Sequence, residues 1–279
     1  MSPVIRAAAV PLVTCVALLA GCCEEPEAPG EGGPVEDIED PWLLAIDEDE
    51  GTRDALIQIS VEPGSEGEVT VVCEDLELPA GFPADTNFTA LVDLGGTLYA
   101  SAQRDTWGDT LVEIDACACT VREVGAYGFT LVSGLGTNVD GTLIGLAAEG
   151  ELLIEIDPSS ANSEELGALS EDWGSNGLSS ADPQTSLLYG INATSDRLHR
   201  LHSDGSEFDS LPLSEDFAAV GTEFHLGRGL LYACGVLGRE TSLFVVDHRT
   251  GAVSLAAESV FTSACDNLAA PAGPIACVH

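Results

Sequence analysis

Five residues have the types and spacing to gather oxygen around a hard cation: Asn87, Asn176, Glu223, Asp266 and Asn267. Each falls one or two places ahead of a recurring apolar position, aligned as Phe88, Leu135, Leu178, Phe224 and Leu268. Hard cations take six to eight such oxygens. The same residue types also cap strand starts and turns, so the set has a structural reading beside the cation-binding one. Asp47, Asp49 and Gly51 open like a calcium loop, but Gln58 stands where the closing acid belongs, which leaves an acidic hairpin turn. His199 and His202 lie three apart on a strand-like segment and so face opposite ways. His199 shares its column with Val112, Ile154 and Phe244, which makes it a packed blade residue. His225 is the most site-like histidine and has no matched partner nearby in sequence. No Gly-x-Ser-x-Gly occurs, so a nucleophile elbow is excluded.

Cys73, Cys117, Cys119, Cys234, Cys265 and Cys277 are disulfide candidates. Six cysteines allow fifteen connectivities. One bridge is expected between Cys73 and the Cys117/Cys119 pair, and one among Cys234, Cys265 and Cys277. A metal site at Cys117-x-Cys119 is the weaker reading, because no second close pair exists to complete it.

Composition narrows the chemistry further. The chain carries no lysine; nine arginines stand against 47 acids, for a formal charge of −38. Such a surface repels nucleic acid, so no DNA or RNA partner is expected. Without lysine there is no Schiff base and no P-loop. No cofactor is required by any motif.

The elements that must position these residues are repeated. A strand-like segment recurs as WLLAID (42–47), GTLYAS (96–101), GTLIGL (141–146), SLLYGI (186–191), GLLYAC (229–234) and GPIACV (273–278). With Leu44, Tyr99, Ile144, Tyr189, Tyr232 and Ala276 as equivalents, the steps are 55, 45, 45, 43 and 44. Two further segments follow each of the first five copies, such as LVEIDA (111–116) and TVREVG (120–125). A fourth precedes most copies, such as NFTALV (87–92) and VSGLGT (132–137). Four short strands per period of about 45, without helical periodicity, predict a β-propeller over residues 42–279. It is an all-β fold of five or six four-stranded blades, with the ring closed by C-terminal strands and the molecule a monomer.

The turn Asp247-His248-Arg249-Thr250-Gly251 resembles the Asp-x-x-Thr-Gly hairpin of lactonase-like and quinoprotein-like (YVTN/NHL-type) propellers, with Asp115 and Asp157 at the same place in other copies. The aspartate accepts turn amides and the glycine supplies positive φ, so these residues are structural. The resemblance implies a calcium site of Glu, Asn and Asp in the central channel, where the ion would act as a Lewis acid on an ester. Quinoprotein electron transfer needs a large stacking platform, and only Trp42, Trp107 and Trp173 are available.

Residues 1–21 read as a signal peptide: Arg6, then an apolar run from Ala7 to Ala20. Leu19-Ala20-Gly21-Cys22 resembles the bacterial lipobox, which makes Cys22 the lipidated residue and the membrane a partner through its acyl chains. Cys23, rather than Asp, in the second mature position favours the outer membrane by enteric sorting rules. Residues 22–41 are an acidic Pro/Gly tether spanning roughly 25 Å on average. The expected function is a lipid-anchored, extracytoplasmic binding or scaffold module for a protein or glycan. The alternative is a calcium-dependent, lactonase-like hydrolase.

Overall fold

The structure is a computed structural model and describes residues 41–49, 53–106, 108–174, 176–237, 240–262 and 265–278. The signal segment, Cys22, the tether through residue 40 and Trp107 lie outside the described residues. All described residues belong to one compact unit, Asp37–His279.

Alternation of β-branched and aromatic residues with turn residues produces nineteen strands and five antiparallel sheets among the described residues. The first sheet orders β1 (Trp42–Asp49), β2 (Arg53–Ser60) and β3 (Val69–Cys73). The second is β4 (Phe88–Leu94), β5 (Thr97–Ala102), β6 (Thr110–Asp115) and β7 (Thr120–Ala126). The third is β8 (Val132–Thr137), β9 (Leu143–Ala147), β10 (Leu152–Ile156) and β11 (Ser163–Ala168). The fourth is β12 (Asn176–Leu178), β13 (Leu188–Asn192), β14 (Arg197–Leu201) and β15 (Glu207–Pro212). The fifth is β16 (Val220–His225), β17 (Leu230–Leu237), β18 (Glu240–Val246) and β19 (Val253–Ala257). Five sheets make five blades, which settles the choice between five and six.

The apolar residues fill the gaps between blades. Five separate clusters occupy five interfaces. The one between the fifth and first blades contains Tyr232 and Leu243 against Leu43 and Ile59. Each sheet thus covers its neighbour's oily face, as a propeller requires.

The C-terminus departs from the repeat. GPIACV (273–278) is not a strand; it forms turns, and Ile275 and Val278 pack into the core between the first two blades. Upstream, Ala269 bridges Leu44 through reciprocal backbone hydrogen bonds of 2.8 and 2.9 Å.

All six candidate cysteines are paired. Cys73–Cys119 ties the end of β3 to the β6–β7 turn, with Cα atoms 5.6 Å apart. Cys234–Cys265 ties β17 to the C-terminal segment at 5.7 Å, and Cys117–Cys277 ties the second blade to the C-terminus at 5.1 Å. A Cys117-x-Cys119 metal site is thereby ruled out.

Hairpin aspartates behave as their turns require. Asp247 Oδ1 accepts the Arg249 amide at 2.9 Å, and Gly251 has φ +75°. Asp157 accepts the Ser159 amide at 2.9 Å, and Asp115 accepts the amides of Cys117 and Ala118.

Candidate functional site

Pairing with the second strand fixes which inner positions are equivalent. Val92 opposes Tyr99, Gly136 opposes Ile144 and Glu223 opposes Tyr232. Ser179 bonds Tyr189, and Ala269 bridges Leu44. Val92, Gly136, Ser179, Glu223 and Ala269 therefore form one level around the axis. One residue earlier stand Leu91, Leu135, Leu178, Thr222 and Leu268. The sequence alignment of apolar positions thus holds for Leu135, Leu178 and Leu268. It is displaced at Phe88 by three residues and at Phe224 by two.

The axis is narrow because small residues line it. A Cβ on Gly134 would stand 2.8 Å from the Leu178 amide, and one on Gly177 would stand 2.8 Å from the Thr222 amide. One on Gly221 would stand 2.6 Å from the Asn267 amide. Only glycine allows inner strands this close, and the space they enclose leaves no volume for a water molecule.

Beyond this plug, at the C-terminal ends of the inner strands, a cavity of about 230 Å³ opens. Asp93 and Leu94 line it from β4, Thr137 and Asn138 from β8 and its turn, and Ser180 and Ala181 from the segment after β12. Glu223 and Phe224 come from β16, with Ala270 and Ala272 from the C-terminal segment. Glu223 is 1% exposed, and both carboxyl oxygens approach the Ser180 amide, at 3.2 and 3.4 Å. Burial pushes its carboxyl well above the usual range, against the Ser180 hydrogen bonds and helped by the nearby Asp93. Asp93 is also raised by burial, although it accepts the amides of Gly96 and Ala272 at 2.8 and 2.7 Å.

The five oxygen-bearing candidates do not share one place. Asn176 accepts the Ser133 hydroxyl at 3.0 Å and donates to the Trp173 carbonyl at 2.6 Å. Asn267 accepts the Ile46 amide at 2.6 Å and donates to the carbonyls of Ile46 and Phe88. Both have structural partners. Asn87 and Asp266 sit toward the opposite end of the axis from Glu223, and each has a buried Oδ1 without a hydrogen-bond partner. Among the described residues, no group of three or more His, Cys, Asp or Glu side chains converges to hold a metal.

The histidines divide as packing dictates. His199 is fully buried against the Trp173 ring, centroids 4.5 Å apart, with Nε2 2.8 Å from Glu171 and Nδ1 3.0 Å from Glu207. Sequence reasoning placed its column correctly but missed both acids, which arrive from a loop and from β15. His202 packs edge-on against Phe208. His225 is buried and accepts the Arg228 amide at 3.2 Å. Asp47 bonds the Thr262 amide and hydroxyl, and Gln58 lies buried within β2. Trp42 and Trp173 are core residues, not an exposed stacking platform.

No protein-family model and no curated protein matches the chain in sequence. Among solved structures it is similar to a structural-genomics protein of unknown function from Bacteroides thetaiotaomicron, with 14% identity and TM-score 0.51 over 82% of this chain. It spans 60% of that chain's length. Similarity at 19% identity extends to the nidogen/laminin complex, with TM-score 0.48 over 84% of this chain and 81% of that one. At 10% identity it extends to virginiamycin B lyase from Staphylococcus aureus, with TM-score 0.44 over 78% and 70%. The fold is a β-propeller. At these identities the likeness carries no further than that.

Proposed function

We propose that the chain is a lipid-anchored, extracytoplasmic five-bladed propeller that works as a non-enzymatic binding module for a protein or glycan partner. The partner's contacting group is seated in the axial cavity. The observation that carries this reading is the cavity itself: a concave site at one mouth of a plugged axis, with a fully buried acid and apolar walls. The anchor reading rests on Leu19-Ala20-Gly21-Cys22. Three disulfides fit an oxidising compartment, and Cys23 after the lipidated residue favours the outer membrane. Residues 266–270 act as the inner strand of the first blade and close the ring. The Leu44–Ala269 bridge and the Asn267 bonds to Ile46 and Phe88 support this.

Two measurements test the proposal. Palmitate labelling in a bacterial host should mark the wild-type chain and not Cys22→Ser. The purified protein should neither hydrolyse lactones with calcium nor melt at a higher temperature in its presence. Calcium-dependent turnover lost in Glu223→Gln would establish the hydrolase reading instead.

A further inference from the structure

We infer that the axial cavity receives a primary ammonium group and holds it on the Glu223 carboxylate, a reading that rests on the cavity being the binding site proposed above.

The first support is broken symmetry. At Glu223's level the other four inner strands carry Val92, Gly136, Ser179 and Ala269. A small apolar or hydroxyl residue satisfies the ring at four positions, and an acid replaces it at the fifth. Burying an acid is unfavourable unless a partner compensates. The two oxygens share the Ser180 amide and are also bonded by the Ser180 hydroxyl and the Phe224 amide; a carboxylate offers about four lone-pair sites, so these three donors leave room for one more.

The second support is charge. None of the residues lining the cavity is basic. Asp93 of β4 is the other acid lining the cavity and the one that acts on Glu223, while Asp140 and Asp182 are chain neighbours of the lining residues Val139 and Gly141, and Ala181 and Pro183. Asp182 accepts the Tyr189 hydroxyl at 3.1 Å, and Asp93 accepts two amides. With a chain charge of −38, the field favours a cation at the mouth.

The third is donor count and shape. A hard metal ion requires six to eight oxygens, and no cluster among the described residues supplies them. An ammonium group brings three donors, which Glu223 and the rim oxygens of Thr137 and Ser180 can receive. Leu94, Ala181, Pro183 and Phe224 give a short alkyl stem an apolar wall.

The proton balance follows. Burial raises the Glu223 carboxyl, so in the empty cavity it holds its proton to a higher pH than a free carboxyl does. Ammonium binding converts it to a carboxylate. Each ammonium bound displaces the Glu223 proton to solvent where it is present, at most one per site, and no other bond changes.

Calorimetry on the full lipidated chain in detergent tests this with n-butylammonium and its neutral counterpart, n-butanol. Butylammonium should bind at least about tenfold more tightly than butanol, a difference of one decade in Kd. Its affinity should rise toward about tenfold per pH unit between pH 6 and 8, the limit for one linked proton. Buffers of different ionisation enthalpy should report release of up to one proton, a readout that needs no variant. Glu223→Gln, matched in shape and checked by its melting curve, should abolish both the preference and the release. Nα-acetyl-lysine amide separates the sources. Tighter binding than butylammonium assigns the ammonium to a peptide lysine, and weaker binding assigns it to a free amine. Equal binding of butylammonium and butanol without proton release overturns the inference but leaves the cavity as a binding site. Binding of none of the probes overturns both.

Discussion

Replacing Glu48 by Gln should flatten the fall of stability between pH 5 and pH 8. Glu48 lies near the end of β1, and its Oε1 accepts the Phe88 amide at 2.6 Å. Burial pushes its carboxyl from 4.5 up to about 8; the Phe88 hydrogen bond opposes the shift, and Asp54, Asp266 and Asp47 add to it. The unfolded chain loses this proton near pH 4.5, whereas the folded chain keeps it to about 8. The resulting stabilisation is therefore complete below the unfolded value and is lost as pH rises through the folded one. At about 1.4 kcal/mol per unit, integrating the two titrations from pH 5 to pH 8 gives a ceiling of about 3.5 kcal/mol for this group. Gln stays neutral throughout and can still accept the Phe88 amide. Urea unfolding at four pH values across this range would measure the effect. The gap between variant and wild type should move in the variant's favour by roughly 2–3.5 kcal/mol as pH rises. Asp93 and Glu223 are also raised by burial, titrate in both proteins and cancel in the difference, whereas Asp54 and Asp266 act on Glu48 and cancel only in part, which the lower end of that range allows for. A gap that stays constant from pH 5 to pH 8 would refute the assignment of a buried, protonated acid at Glu48.

Two perturbations bear on how the C-terminus is held. Cys117–Cys277 spans 160 residues, for which loop-closure entropy sets a ceiling of about 5 kcal/mol. Cys234–Cys265 already shortens that loop, so Cys117→Ser with Cys277→Ser should cost about 2–4 kcal/mol, read as a lower guanidinium midpoint under non-reducing conditions. Asn267→Ala leaves the buried Ile46 amide without its acceptor and should cost about 1–3 kcal/mol in the same assay; an unchanged midpoint would argue against ring closure through residues 266–270.

The blades were legible because each strand obeys a local rule. Alternating apolar residues and turn chemistry put Tyr99, Ile144, Tyr189 and Tyr232 in one column, and the strand pairing agrees. The inner strands were harder to align. Their positions are filled by Ala, Gly, Ser and Thr, chosen for close approach and carrying little pattern. Irregular pairing at Phe88/Ala90 shifts the count within β4, and in the regular β16 the apolar Phe224 stands two places past the level of Leu135 and Leu178. That is why Asn87, Asn176 and Glu223 looked like members of one ring. The GPIACV segment misled for another reason. Its apolar residues suit burial in a loop under the first two blades as well as burial in a strand, and composition does not separate the two.

Quasi-symmetry offers a sharper criterion than residue type for telling site from scaffold. Of the buried polar residues that break the inner ring, two compare directly: Asn267, among Ala90, Gly134, Gly177 and Gly221, and Glu223, two levels away among Val92, Gly136, Ser179 and Ala269. Both are buried, and sequence alone weighs them alike. Their partners differ in kind. Asn267 directs its amide to backbone groups of two neighbouring segments, at Ile46 and Phe88, where the ring needs a cross-tie. Glu223 takes the Ser180 amide and hydroxyl and the Phe224 amide, and it also lines a cavity. A buried polar side chain whose hydrogen bonds end on the fold accounts for itself by stability. One with acceptor capacity facing open space is accounted for only by a ligand. By that measure Glu223, of the five oxygen-bearing residues, is the one that faces open space, while Asn176 and Asn267 end their hydrogen bonds on the fold.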